Sequence, residues 1–225
     1  MRRAAVLLDA LDTLVALEPP APRLAAALDV PLADAERAIR AEIAYYRAHL
    51  HEGSDAEGLA RVRARCAALV ARELALDAPP EAVLAALLDA IRFVPFPDAA
   101  PALRALRAAG VRLVVVSNWD VSLHEVLAAT GLGELVDGAL SSAEVGEAKP
   151  GGAIFARALA LAGVEPGAAC HVGDSLEADV DGARRAGIEP ILIDREGRVG
   201  DGEVEGVRRI ASLAELPLVL AGDPP

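Results

Sequence analysis

Aromatic side chains make up only 3% of this 225-residue chain, cysteine occurs twice, and lysine occurs once, at Lys149. Cys66 and Cys170 lie far apart with no paired spacing, which excludes a disulfide framework or a zinc site and points to a reduced, cytoplasmic setting. Positive charge is scarce as well: 22 basic residues face 34 acidic ones, a formal net charge of −12, with no basic run and no interleaved aromatics. Nucleic acid and anionic membranes are therefore excluded as partners. Long apolar runs are missing too. Met1-Arg2-Arg3 leads into five apolar residues and then Asp9, too short for a signal peptide, and no uncharged stretch approaches membrane length. The expectation is a soluble protein, of an oligomeric state that composition leaves open.

What the chain does have is 54% hydrophobic residues, ample for a core, with alanine and leucine dominant, a bias toward helices packed through small side chains. Ala4 to Leu8 runs into Asp9 and reads as a buried parallel strand that delivers a carboxylate to its C-terminal end. Residues 22–90 then show helical periodicity, at Leu24, Leu28 and Leu32, at Ile39, Ile43 and Tyr46, at Val62, Cys66 and Val70, and at Val83, Leu87 and Ile91. Breaks at Pro31, 51–54 and 77–80 divide this stretch into about four helices inserted between the first and second strands. Residues 93–97, with two prolines, read as a re-entry linker.

From there strand and helix alternate. Asp98 is placed to cap a helix ended by Gly110; 112–116 is a strand reaching Ser117-Asn118; Asp120 or Ser122 caps a helix ending at Gly131; 138–141 is a short strand. Pro150 opens a helix closed by Gly163, 168–172 is a strand reaching Gly173-Asp174, and 175–186 is a helix stopped by Gly187. The last clear strand is 190–193; 195–206 reads as a surface loop, Ser212 caps a short helix, and 222–225 fray. This alternation predicts a parallel sheet with helices on both faces and every strand C-terminus along one edge.

Asp9, Ser117 and Asp174 end three of these strands, and Lys149 arrives on the loop before a helix. In this order the chain resembles the haloacid dehalogenase superfamily, a large group of mostly phosphatases. The resemblance rests on Leu8-Asp9-Ala10-Leu11-Asp12-Thr13-Leu14, Val116-Ser117-Asn118, Gly146-Glu147-Ala148-Lys149-Pro150, and Gly173-Asp174 through Asp179 to Gly187. It implies an α/β fold with a Rossmann-like, doubly wound core over 1–15 and 97–225 and an all-helical cap over 16–96. It also implies that Asp9 is a nucleophile forming an aspartyl phosphate, a step that splits one hard displacement into two easier ones. Mg²⁺ would be held by Asp9, the Leu11 carbonyl and Asp174, with Asp179 in support. Ser117 would meet a phosphate oxygen with help from amides near Asn118; Lys149 would neutralise the transferring group; Thr13 and Asn118 would bind substrate. Trp119 either lines the pocket or packs beneath it, and Tyr45 and Tyr46 are placed to face the cleft.

One residue departs from the pattern. The family's phosphatases carry a second aspartate, the general acid and base, where this chain has Leu11, and Asp12 stands where they usually carry glycine. Losing a general acid typically costs ~10²- to 10⁴-fold, least for acyl or aryl phosphates, whose leaving groups need no proton. Two alternatives follow: a 2-haloacid dehalogenase, whose Asp-Ala-aromatic-Gly-Thr motif residues 9–13 partly match, or a non-catalytic member binding a phosphorylated ligand or a protein. Those dehalogenases work without metal, whereas Asp174 and Asp179 resemble a metal site, so a magnesium-dependent phosphatase is the expected activity. Arg23 reads as an exposed helix arginine, and His49, His51, His124 and His171 as core or surface residues, since none has metal-ligand spacing.

Overall fold

Four apolar residues without alternation make Ala5–Leu8 (β1) a strand buried on both faces. The computed structural model describes residues 3–200 and 206–222. After β1 the chain forms Val15–Leu17 (β2) and then four helices, Pro20–Leu28 (α1), Leu32–His49 (α2), Ala56–Glu73 (α3) and Pro80–Ala90 (α4). Pro20 and Pro80 sit at first helical positions, where a missing N–H costs nothing, and Asp55 caps α3 by accepting the Gly58 N–H at 2.7 Å. The helices bury Leu24, Ile39, Val62, Val70, Val83 and Leu87 against one another, a core of their own.

Phe93–Pro95 (β3) closes this insertion by pairing antiparallel with β2, Val15 opposite Pro95 and Leu17 opposite Phe93. The linker expected over 93–97 is thus half of a two-stranded ribbon. Proline is tolerated because such a ribbon leaves one side of each strand unpaired.

The remaining elements are Ala99–Ala108 (α5), Arg112–Ser117 (β4), Leu123–Ala129 (α6), Gly138–Ser141 (β5), Ser142–Val145 (α7), Gly152–Ala162 (α8), Ala169–Gly173 (β6), Gly182–Arg185 (α9), Glu189–Ile193 (β7), Arg208–Ile210 (β8) and Leu216–Ala221 (α10). The main sheet is parallel throughout, in the order β5-β4-β1-β6-β7-β8. Period-two alternation sorts its side chains. Val6, Leu8, Leu113, Val115 and Val172 face α5, α6 and α10, while Ala5, Leu7, Val114 and Val116 face α8 and α9. Leu7 and Leu8 are wholly buried, so truncating either to alanine costs about 2–5 kcal/mol.

Several expected boundaries shift for physical reasons. A sixth strand, β8, follows the one expected to be last; it is three residues long and two are exposed arginines, too little for a periodic signal. The helix expected over 175–186 is a wide π turn, Leu176–Asp181, followed by the short α9. Asp98 precedes α5 without capping it, because its carboxylate is engaged by Arg195, Ser212 and the Leu213 N–H. Ser122 does not cap α6 either; its N–H donates to Asp120. Of the expected loop, Arg195 is held in place by Asp98 and the 12–13 backbone, and 201–205 lie outside the described residues, as do 223–225 of the expected frayed end. Among the described residues no helix is long and apolar enough to cross a membrane.

Candidate active site

Parallel pairing sets the site. Leu8 lies level with Val115 and Val172, so Asp9, Ser117 and the Gly173-Asp174 turn emerge together at the C-terminal edge of β1, β4 and β6. Ser117 Oγ donates to Asp9 Oδ1 at 2.9 Å, and Lys149 Nζ donates to the same oxygen at 2.7 Å. Among the described residues no donor reaches Asp9 Oδ2, which leaves that oxygen free to meet a ligand. Lys149, 4% exposed, also donates to Asp179 Oδ1 at 2.6 Å, so one buried cation joins two carboxylates.

Asp179 is tightly held. Besides Lys149, its Oδ1 accepts from His171 Nε2 at 2.8 Å, and its Oδ2 accepts from the Ser175 N–H at 3.0 Å. A carboxylate only accepts, so the His171 proton facing it is on Nε2. The π turn brings Asp179 so close to the strand end that a Cβ on Gly173 would lie 2.2 Å from its Cγ; only glycine fits. With three donors Asp179 holds Lys149 in place, and its carboxylate lies beside Asp9 and Asp174, the placement the expected supporting role needs.

Charge follows from burial and neighbours. Burial pushes the Asp9 carboxyl up and Lys149 pulls it back, with Asp179 adding repulsion. Burial also acts on Asp179, yet Lys149 and His171 hold it below the ordinary carboxylate range. Burial works against the Lys149 ammonium, but Asp9 and Asp179 outweigh it and hold its pKa up. Asp174, the more open member, is pushed up to about 7 by burial and by Asp9, Asp179 and Asp12. Asp9, Asp174 and Asp179 offer oxygens within 4.8 Å of one another. This all-oxygen, mutually repelling set fits a hard divalent cation such as Mg²⁺.

Other expected residues are placed less simply. Asn118 Nδ2 donates to the Lys149 carbonyl at 2.9 Å, and the Lys149 N–H donates to Asn118 Oδ1 at 2.7 Å, so this side chain braces the lysine while also edging a cavity. Trp119 does both things foreseen for it: it packs against Phe93 with ring centroids 4.8 Å apart and lines the same cavity. Thr13 is wholly buried, its hydroxyl without a hydrogen-bond partner among the described residues, so it is sealed away from any substrate. Leu11 lines the cavity, whereas Asp12, at φ 59°, turns outward. Tyr46 reaches the cavity and donates to Asp120 at 2.7 Å, while Tyr45 stacks on His49 at 4.0 Å. Arg23 pairs with Glu18 at 3.0 Å.

Two residues do more than the sequence reading gave them. His171 sits in an apolar strand three residues before Asp174, a position that could have drawn notice. Arg195 carries no local signal; its guanidinium donates to the Thr13 carbonyl at 2.7 Å and to Asp98 at 2.9 and 3.1 Å, and stacks 3.8 Å from the Phe96 ring centroid. It staples the turn that follows Asp9.

Residues 4–187 match the family model described as haloacid dehalogenase-like hydrolase. A bovine protein named haloacid dehalogenase-like hydrolase domain-containing protein 3 is 44% identical over 91 residues, 40% of this chain and 36% of that protein. A glyceraldehyde 3-phosphate phosphatase from Methanopyrus kandleri is 36% identical over 141 residues, 60% of each chain. The matches thus span about a third to three fifths of these relatives. Among solved structures, a phosphatase of the same superfamily from Thermococcus onnurineus superposes with a TM-score of 0.67 at 28% identity, over 97% of this chain and 98% of that one. Haloacid dehalogenases superpose as well, at identities of 21–23% that show the fold alone.

Proposed function

Because the chain belongs to the haloacid dehalogenase-like hydrolases, we propose that it is a magnesium-dependent phosphatase of small phosphorylated metabolites, working in the cytoplasm through Asp9. The observation that carries this reading is the buried Lys149 on Asp9 Oδ1, beside the Asp174 carboxylate. Ser117 and Lys149 orient Asp9 and leave Oδ2 to attack phosphorus. The phosphorus–oxygen bond to the leaving group breaks, its electron pair departs with that oxygen, and Asp9 becomes an aspartyl phosphate, a mixed anhydride. Water then attacks the same phosphorus and gives up a proton to solvent, the phosphorus–oxygen bond to Asp9 breaks, and phosphate and the free carboxylate are released. Lys149 opposes the upward push of burial on the Asp9 carboxyl and offsets charge on the transferring group. Mg²⁺ held by Asp9, Asp174 and the Leu11 carbonyl would screen the repulsion between carboxylate and phosphate. The helical cap over 16–96, joined to the core by the β2/β3 ribbon, would close over this edge and exclude water.

With Leu11 at the position of the usual acid, acyl and aryl phosphates are the favoured substrates. The test is turnover of acetyl phosphate and p-nitrophenyl phosphate by the purified protein with Mg²⁺ and with EDTA. Magnesium-dependent turnover lost in Asp9→Asn supports the reading; silence on both substrates contradicts it. Leu11 also favours a second reading, halide release from 2-haloacids, because chloride leaves without a proton. Metal-independent release of halide would select it over the first, and absence of both activities would leave a binding protein.

A further inference from the structure

The insertion and the core enclose a cavity of about 370 Å³, at the small end of ligand pockets, which run to about 1,000 Å³. Its walls are Leu11, Ile43, Leu87, Ile91, Phe93 and Trp119. Asn118, which also lines it, is bonded to the Lys149 backbone, so the cavity adjoins the Asp9 edge. Tyr46 adds a ring face, its hydroxyl being engaged by Asp120. From α2, Glu42 and Arg47 also line this largely apolar space. Glu42 is 5% exposed, burial pushes it up, and its hydrogen-bond partner among the described residues is Cys66. Arg63 and Glu125, 3.9 Å apart, stand at the more exposed side.

Resting on the phosphatase reading, we propose that this cavity holds the organic part of the substrate and that this part is an aryl group, so that the enzyme hydrolyses aryl phosphates in preference to phosphates of polar alcohols. Two independent features converge on that class. The wall is built of aliphatic and aromatic side chains, including the tilted Phe93–Trp119 pair, which offers ring edges and faces to a flat apolar group. Leu11 is part of the same wall, and by standing there it withdraws the acid that an alkoxide leaving group needs. A phenolate, with a conjugate acid of pKa about 10, departs unaided where an alkoxide near the 15.7 of water does not. One side chain therefore accounts for both shape and chemistry. A polyol phosphate would strip its hydroxyls of water against this wall, where several of the polar groups present are already engaged, Asn118 by Lys149 and Asp120 by Tyr46.

The test compares 2-naphthyl phosphate, acetyl phosphate and glycerol phosphate with the purified protein and Mg²⁺. All three report phosphate release, and acetyl phosphate has a good leaving group but nothing to fill the cavity. The expected result is a KM for 2-naphthyl phosphate roughly ten- to a hundredfold below that for acetyl phosphate, and little turnover of glycerol phosphate. Leu88 lines the cavity and is 38% exposed, so Leu88→Lys is compatible with folding and should shrink the naphthyl-to-acetyl ratio of kcat/KM roughly tenfold. Turnover of acetyl phosphate with no KM advantage for the naphthyl ester, or a ratio unmoved by Leu88→Lys, overturns the aryl proposal and leaves the phosphatase reading standing. Failure to hydrolyse any of the three overturns both.

Discussion

Asn118 and Lys149 grip each other twice, the Asn118 amide donating to the Lys149 carbonyl at 2.9 Å and accepting from its N–H at 2.7 Å. This pair fixes the main chain from which the ammonium reaches Asp9 and Asp179. Asn118→Ala should let Lys149 drift, lowering kcat on acetyl phosphate roughly 10- to 100-fold with KM changed much less. A change confined to KM would instead make Asn118 a substrate contact.

Lys149 is the cation of a buried set whose other members are two carboxylates. Removing it in Lys149→Met leaves Asp9 and Asp179 repelling one another out of water, so stability at neutral pH should fall by about 3–5 kcal/mol along with activity. Denaturant unfolding would measure the loss. Lys149→Arg should not restore turnover, because a planar fork does not replace a compact ammonium held by two oxygens.

Asp98 anchors Arg195 and the start of the last helical turn. Burial pushes its carboxyl up, but Arg195, Ser212 and the Leu213 N–H hold it lower in balance. A depressed folded pKa means the stabilisation is present above the unfolded value, about 3.9, and is lost as pH falls through the folded one. Asp98→Asn should therefore lower Tm at pH 7 and converge on the wild-type curve under strong acid. Equal differences at both pH values would contradict the pairing with Arg195.

Glu42 has the opposite sign. Burial raises its folded pKa, so the native state holds the proton more tightly and stability falls as pH rises from the unfolded value through the folded one. Glu42→Gln should raise Tm at pH 7, by about 2–4 °C for each kcal/mol recovered, and flatten that decline. An unchanged pH profile in thermal melts would show that the carboxyl is better solvated than its burial implies.

Much of this fold is legible in sequence because burial imposes period. β1 and β4 announce themselves as apolar runs, β6 as a shorter one interrupted by His171, and α1–α4 as helical stripes. β2, β3 and β8 have three residues each, too few for a period, and exist only through their partners. The same holds near the site. Asp9, Ser117, Lys149 and Asp174 stand at strand ends or an adjoining loop, where a local pattern marks them. His171 and Arg195 matter through contacts with Asp179, eight residues on, and with Thr13, 182 residues away, which no local window contains. The π turn carries Asp179 to three donors, one of them on Lys149, 30 residues earlier, which no local window contains either.

The most direct measurement is mass spectrometry of the Asp9 peptide after rapid acid quench of the protein with acetyl phosphate and Mg²⁺. The account predicts a phosphoryl adduct on Asp9 that forms and decays with turnover and is missing in Asp9→Asn. Steady turnover with no adduct, persisting in Asp9→Asn, would contradict it.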